Sequence, residues 1–319
     1  MFKYYLYKFG QFCLRWLPPL VSLKLALCMS DLHYYFSFRD RRAVNNNLRV
    51  IVGEEANISL LTKEVFKNFG RYLVEFFMMR RMVNEEYIKK NIKMKNLERL
   101  EEALKRGKGG IVVTAHLGNW ELGAVLLGML GYPLLGIALP HKERPVNDLF
   151  NQQRQLGITV ASTHMALRKC LGTLKKNQLI ALVADRDFSL HGEPMDFLGR
   201  KTLLPPGPAM FSLMTGAPII PTFLIRHEDN TFTLTIEEPI YPPAKIEKNE
   251  ERQILLSLMR EYVSVIEEKI RLYPTQWLMF RQFWINDLPR PANILRRMFR
   301  FKRRVMQEPK ALEEEAVQA

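Results

Sequence analysis

One histidine, His116, lies in a segment that could carry out acid–base chemistry, residues 114–121 (TAHLGNWE). Glu121 follows five residues later, and on a regular helix two such side chains point about 140° apart. They can meet only if the backbone turns between them, which Gly118 permits, before a helix begins at Asn119, a typical N-cap. Glu121 would then orient one imidazole nitrogen while the other accepts a substrate proton. The start of that helix would also offer backbone N–H groups to an oxyanion or a phosphate.

The elements around this segment predict an α/β fold. Residues 110–115 (GIVVTA) form a short β-branched run that is typical of a buried strand. Helical spacing of apolar residues resumes after it, and further strands and helices alternate along the chain. The predicted strands are 134–139, 158–161, 179–183, 218–225 and 232–236. Residues 55–106 are predicted to be helical, with helices at 62–83 and 96–106, and further helices are predicted at 121–130, 145–156, 166–176, 208–215 and 252–271. This alternation indicates a mixed β-sheet flanked by helices. The alternative is a purely structural one, in which His116 ends a strand and Glu121 lies on a solvated helix face. The position of the pair between a strand and a helix favours catalysis.

The charge of the chain favours anionic partners. Its 319 residues include 47 Lys and Arg but 33 Asp and Glu, which gives a net charge of +14. Such an excess suits nucleic acid, anionic lipid head groups or phosphorylated substrates, although a generally basic soluble protein is the simplest alternative. Three cysteines, at positions 13, 28 and 170, are too few and too scattered for a disulfide framework or a zinc site.

Three regions are predicted from composition. Residues 1–50 form a basic, helical, membrane-associated arm, since charges and prolines interrupt the apolar residues between Phe9 and Phe38. Neither a signal peptide nor a spanning helix fits that segment well, whereas a helix lying at the membrane interface does. Residues 51–288 form the α/β domain. Residues 289–319 form a basic and then acidic tail, in which 296–304 interleaves aromatic and basic residues, so nucleic-acid binding is a rival interpretation.

The HLGNWE block, residues 116–121, resembles the His-x4-Asp/Glu block of the lysophospholipid acyltransferase superfamily. It has the form found in the bacterial lipid A late acyltransferases and the related phosphatidylinositol mannoside acyltransferases. The resemblance covers about residues 47–284 and continues in blocks at 109–114, 150–157, 184–187, 196–199, 206–209, 215–221 and 276–277, with Trp284. It implies a glycerolipid acyltransferase-like fold and acyl transfer from acyl carrier protein or coenzyme A to a lipid hydroxyl. It also implies no metal or bound cofactor, and a location at the cytoplasmic face of the bacterial inner membrane.

The resemblance assigns roles within the HLGNWE block and in the block that follows it. His116 would be the general base and Glu121 the group that orients it. Gly118 and Asn119 belong to the same block and are expected at the substrate. Arg154 would neutralise a phosphate or the developing oxyanion, because a guanidinium is a bidentate donor. A charge on a helix surface is the alternative for Arg154.

The later blocks give weaker expectations. Asp185 ends a predicted strand, and with Asp187 it could suggest a metal, but no other ligand cluster supports one. We therefore expect Asp185 to organise a loop and Arg186 to face the substrate. Gly207 begins a predicted helix whose backbone could approach a phosphate, and a plain turn is the alternative.

These expectations combine into one function with two alternatives. The leading acceptor is a lipid A precursor, with acyl carrier protein and an anionic membrane surface as partners and nucleic acid excluded by the catalytic block. A mannosylated phosphoinositide or a lysophospholipid is the rival acceptor, since the Asp-Arg-Asp triplet at 185–187 resembles the mannoside acyltransferases. A basic lipid- or nucleic-acid-binding protein without catalysis is the rival from another class.

Overall fold

The structure is a computed structural model that describes residues 2–139, 143–162, 166–187, 192–245, 247 and 249–285. The predicted tail, residues 289–319, lies outside the described residues. Within them, seven strands form the central sheet and two more form a separate hairpin. The sheet strands are β1 (Ile92–Lys95), β2 (Gly110–Thr114), β3 (Leu134–Ala138), β4 (Thr159–Ser162), β5 (Leu179–Val183), β8 (Ile219–Arg226) and β9 (Phe232–Ile236), and the hairpin strands are β6 (Glu193–Phe197) and β7 (Arg200–Leu204).

The sheet is mixed, as predicted. Its strand order is β1-β9-β8-β2-β5-β3-β4. The β8–β9 pair is antiparallel and the other pairs in this sheet are parallel. Because the strands from β8 to β4 are parallel, their carboxyl ends meet at one edge, where open α/β sheets bind ligands.

Helices cover the sheet and form the N-terminal region. In chain order they are α1 (Phe2–Trp16), α2 (Pro19–Phe36), α3 (Phe38–Val52), α4 (Ile58–Met82), α5 (Glu85–Asn91), α6 (Leu97–Lys105), α7 (Trp120–Met129), α8 (Arg144–Arg154), α9 (Ala166–Lys175), α10 (Gly207–Thr215) and α11 (Glu251–Leu272), followed by a 3-10 turn at Pro274–Gln276. The alternation of strands and helices that the sequence predicts is therefore confirmed.

The core lies on both faces of the sheet. Ile111 and Val113 of β2 pack in one hydrophobic cluster, together with Tyr262 of α11. Val112, between them, packs on the opposite face with Val125 of α7. Side chains alternate across a strand, so a strand buried on both faces must be apolar throughout. This explains why GIVVT carries no polar alternation.

Residues 2–50 are mostly helical, as predicted, and they pack on the rest of the chain. α2 lies close against α4 at Ser30 of α2 and Gly70 of α4. A Cβ built on Gly70 would lie only 2.1 Å from the Ser30 hydroxyl oxygen. From α3, the Asn47 side-chain amide donates a 2.9 Å hydrogen bond to the Met279 carbonyl. Within the described part of the chain, none of the helices has the length and apolarity needed to cross a bilayer.

Candidate active site

His116 and Asp185 meet because they follow neighbouring strands. β2 and β5 are parallel, and Thr114 pairs in register with Val183. His116 and Asp185 each lie two residues beyond that pair, at the same edge of the sheet. The His116 ring Nδ1 lies 2.8 Å from Asp185 Oδ1, and the His116 backbone N–H donates to Asp185 Oδ2 over 3.0 Å.

The Asp185 carboxylate is buried but well stabilised. Its side chain is fully buried, whereas that of His116 is 22% exposed. Burial alone would raise the pKa of Asp185. The positive charge that the His116 ring carries when protonated, and the hydrogen bonds from His116 and Trp277, outweigh burial, so the pKa of Asp185 lies below its usual value. An ionised carboxylate only accepts hydrogen bonds, so Nδ1 of His116 is the donor and the lone pair of the neutral ring lies on Nε2.

Glu121 does not hold the His116 ring, which corrects the sequence expectation. It forms a bidentate ion pair with Arg154, whose Nε and Nη2 donate to the two carboxylate oxygens over 2.8 Å and 2.5 Å. The pair is largely buried, with side-chain exposures of 9% for Glu121 and 12% for Arg154. Since α7 begins at Trp120, Glu121 lies in its first turn and is held by the last residue of α8.

The Arg154 guanidinium is therefore already engaged. Burial would lower the pKa of Arg154, but the Glu121 carboxylate reverses this and the pKa is raised. Its Nη1 also donates to the Asn151 side-chain oxygen over 3.3 Å. A contact with a substrate phosphate stays a prediction for this residue. In the structure, the ion pair joins α7 to α8.

Gly118 and Asn119 hold the turn between His116 and α7. Gly118 has φ +62°, and a Cβ there would lie 2.1 Å from the Leu224 carbonyl oxygen. Asn119 is the N-cap of α7, as predicted, because its Oδ1 accepts from the Leu122 backbone N–H. Its Nδ2 donates to Glu75 over 2.7 Å. The structure thus gives both residues a positioning role, and substrate contact stays a prediction for them.

Backbone N–H groups just before α7 already donate hydrogen bonds within the protein. Those of Gly118 and Asn119 donate to the carbonyl oxygens of Gln276 and Leu224. Beneath them, Glu75 accepts from both Asn119 and Arg226, which ties α4, α7 and β8 together. The predicted role of this backbone in binding an oxyanion has no direct support in these contacts.

Trp120 is a site residue that the sequence expectations left without a role. Its ring lies edge-on to the His116 ring, with centroids 5.0 Å apart. It also stacks on Tyr72 of α4, with centroids 4.6 Å apart and planes 18° from parallel. Trp120 is half-buried, so it forms part of the surface beside the histidine. Its place within the HLGNWE block was the available signal.

Arg186 and Gly207 are the remaining residues that the sequence places at the substrate. Arg186 directly follows Asp185 and is half-buried. Burial and, next, the charge of Arg281 lower the pKa of Arg186 to about 10, so it remains a cation at neutral pH. Gly207 begins α10, and nothing lies within 4 Å of a Cβ built there. Among the described residues, no group of three or more His, Cys, Asp or Glu side chains could hold a metal ion.

Comparison with known proteins identifies the family of this chain. The family model for bacterial lipid A biosynthesis acyltransferases matches residues 1–286. The chain belongs to this family. That confirms the family recognised from the HLGNWE block and the blocks that follow it in order. The protein is an acyltransferase that acts on a lipid acceptor.

Curated relatives fall into two groups. The phosphatidylinositol mannoside acyltransferase of Mycolicibacterium smegmatis is 26% identical over 233 residues, which are 72% of this chain and 73% of the relative. The protein of the same name from Mycobacterium tuberculosis is 25% identical over 229 residues, 70% of this chain and 69% of the relative. The lipid A biosynthesis palmitoleoyltransferase of Escherichia coli is 23% identical over 220 residues, 67% of this chain and 68% of the relative.

Proposed function

We propose that this acyltransferase moves a fatty acyl chain from an acyl thioester, carried by acyl carrier protein or coenzyme A, to a hydroxyl group of a lipid A precursor. The reaction takes place at the cytoplasmic face of the bacterial inner membrane. The observation that carries the proposal is the pair of His116 and Asp185 at the ligand-binding edge of the sheet. We expect no bound cofactor, because a thioester is already activated for acyl transfer.

His116 supplies the proton transfers of this reaction. Asp185 accepts from Nδ1, so Nε2 can take the proton of the acceptor hydroxyl. The resulting alkoxide oxygen attacks the thioester carbonyl carbon. When the tetrahedral intermediate collapses, the C–S bond breaks and the imidazolium returns its proton to the leaving thiolate. The buried carboxylate of Asp185 stabilises the imidazolium while it exists.

Arginines beside this pair suit an anionic lipid. Arg186 adjoins Asp185, and Arg281 lies near enough to lower the pKa of Arg186. An anion between these guanidinium groups would relieve their repulsion, and phosphate suits the geometry of guanidinium donors. A phosphorylated glycolipid acceptor therefore fits the charges at the site.

An exposed apolar face on α1 and α2 supports binding at the surface of a membrane. Tyr5, Phe9, Phe12 and Trp16 recur at helical spacing along α1 and are 61% to 71% exposed. Exposed apolar residues continue through α2 and to Phe38, namely Leu20, Val21, Leu25, Met29, Leu32, Tyr35 and Phe36. Basic residues near this face, Lys8, Lys24, Arg39 and Arg42, are also exposed. An aromatic face with a basic border is typical of helices that lie in the interface of an anionic membrane.

A mannosylated phosphoinositide is the second candidate acceptor. The mycobacterial mannoside acyltransferases are 25% and 26% identical to this chain, compared with 23% for the Escherichia coli enzyme. The two acceptors share a phosphate and sugar hydroxyls, so the same His116 chemistry would serve either. Only the groups that bind the sugar would differ.

Turnover of defined lipids tests the proposal. The purified full chain in detergent is mixed with acyl carrier protein or coenzyme A thioesters and each candidate lipid, and mass spectrometry detects a heavier lipid. We expect His116→Ala and Asp185→Ala to lower the rate at least about a hundredfold, the scale of general-base catalysis. His227→Ala is the control, since this second histidine directly follows β8 and its Nε2 contacts the Thr233 hydroxyl of β9.

Two results would contradict the proposal. His116→Ala activity within a few-fold of the wild type would rule out the histidine as the base. Failure to acylate any of the lipids, combined with tight binding to them, would instead favour a lipid-binding protein without catalysis.

A further inference from the structure

Trp277 belongs to a segment that runs beside the His116 loop. It follows the 3-10 turn at Pro274–Gln276, and its backbone forms an antiparallel bridge with Leu117. On either side of this bridge, the Leu278 N–H donates to the His116 carbonyl over 2.8 Å and Gly118 donates to Gln276 over 3.1 Å. This pairing brings the side chain of Trp277 to Asp185, the partner of the histidine.

The Trp277 indole completes the hydrogen bonds of the Asp185 carboxylate. Its Nε1 donates to Asp185 Oδ2 over 2.8 Å, and Trp277 is 3% exposed. Among the described residues, the other two donors to this carboxylate are the ring Nδ1 and the backbone N–H of His116. Those two donors both belong to the residue that must be oriented. The indole is therefore the donor that fixes Asp185 independently of His116.

We propose that Trp277 is a positioning residue, which holds the Asp185 carboxylate in the rotamer that orients the His116 ring. This inference rests on the proposed function of the His116–Asp185 pair. An indole N–H suits the task, since it can only donate and does not titrate. The same hydrogen bond helps to lower the pKa of Asp185 against the effect of burial.

A second buried indole offers a matched control. Trp284 is 2% exposed and packs, as Trp277 does, on Phe197 and Phe283. Its Nε1 has no hydrogen-bond partner within the described part of the chain. Replacing either tryptophan by phenylalanine removes similar volume from one aromatic cluster. Only the change at Trp277 also removes a hydrogen bond to Asp185.

Kinetics of the two variants separate positioning from packing. We expect Trp277→Phe to lower kcat about tenfold or more with little change in KM, the scale of one hydrogen bond to a charged group. We expect Trp284→Phe to keep kcat within about threefold of the wild type, provided both variants remain folded. Equal losses of kcat in the two variants would overturn the proposal.

The dependence on Asp185 gives a second kinetic test. In an Asp185→Ala background, Trp277→Phe should cause no further loss of kcat, since the carboxylate that it positions is gone. The two changes should thus be strongly non-additive. An unchanged effect of Trp277→Phe in that background would overturn the proposal.

Indole NMR tests the contact without measuring activity. The full chain is labelled with ¹⁵N-tryptophan in detergent micelles, and the Trp277 resonance is assigned by its loss in Trp277→Phe. Asp185→Ala should shift this resonance and speed the hydrogen exchange of the indole N–H, while the Trp284 resonance stays in place. An unmoved Trp277 resonance would overturn the proposal. Failure of the proposed function would look different, because His116→Ala would then remain active whatever the tryptophan variants show.

Discussion

The buried ion pair of Glu121 and Arg154 can be tested by mutation. The sequence predicts that Glu121 orients His116, whereas in the structure it pairs with Arg154. Glu121→Gln keeps the shape of the side chain but leaves the Arg154 charge buried without its counter-ion. Removing one partner of a buried pair costs about 3–5 kcal/mol of unfolding free energy. Both side chains retain some exposure, 9% and 12%, so we expect the lower end, about 3 kcal/mol.

Urea unfolding followed by circular dichroism measures this loss. Asp148→Asn is the control on the same helix, α8, because its partner Arg144 lies 3.9 Å away and the two side chains are 57% and 93% exposed. Such a surface pair contributes little, so we expect a change within about 0.5 kcal/mol. The contrast between the two variants isolates the effect of burial.

A double variant tests the cause of the loss. In Glu121→Gln with Arg154→Met the orphaned charge is gone, and we expect part of the lost stability to return. The reasoning fails if Glu121→Gln is as stable as the wild type yet loses its activity. That result would mean that Glu121 acts on the chemistry and not on the packing of α7 against α8.

Three further expectations follow from single contacts. Gly118→Ala should lower the free energy of unfolding by about 2 kcal/mol or more, because the φ of Gly118 is +62° and an added Cβ would meet the β8 backbone. Gly172→Ala, with open space around the residue, should not lower it, and thermal unfolding measures both. Phe9→Ser should weaken flotation with anionic vesicles roughly tenfold, since it removes one aromatic side chain from the exposed face of α1, while Leu272→Ser, exposed on α11, should not. The pKa of Asp185 in the folded protein lies below its ordinary value of 3.8, so the ionised carboxylate stabilises the fold above that pH and loses this effect as the pH falls below it. The difference in unfolding free energy between the wild type and Asp185→Asn, measured in urea titrations, should therefore narrow below pH 3.8.

The local elements of this protein were largely determined by its sequence. The apolar run at 179–183 coincides with β5, since strands buried in a sheet need continuous apolar residues. The alternating segment 232–236 (FTLTI) coincides with β9, since alternation is typical of a strand. Asn119 was correctly predicted as the N-cap of α7 because capping depends on neighbouring residues. The HLGNWE block and the blocks that follow it in order also sufficed to recognise the family.

Elements without a clear hydrophobic pattern were missed. β1 (IKMK) alternates with lysine at the edge of the sheet, and β6 (EPMDF) carries charges and a proline. Such short, polar strands are stabilised by their partners and not by their own composition. The helix α5 lies within residues 55–106, which the sequence predicts to be helical, although none of its residues is buried.

Only the tertiary structure decided which carboxylate contacts the His116 ring. β5 lies next to β2 in the sheet, although β3 and β4 come between them in the chain. The register of Thr114 with Val183 then brings Asp185 to the histidine. Spacing within one segment could suggest Glu121, but strand order and register are set by the packing of distant segments, which a local pattern does not contain. The same packing brings Trp277 to Asp185, although the two residues are 92 positions apart in the chain.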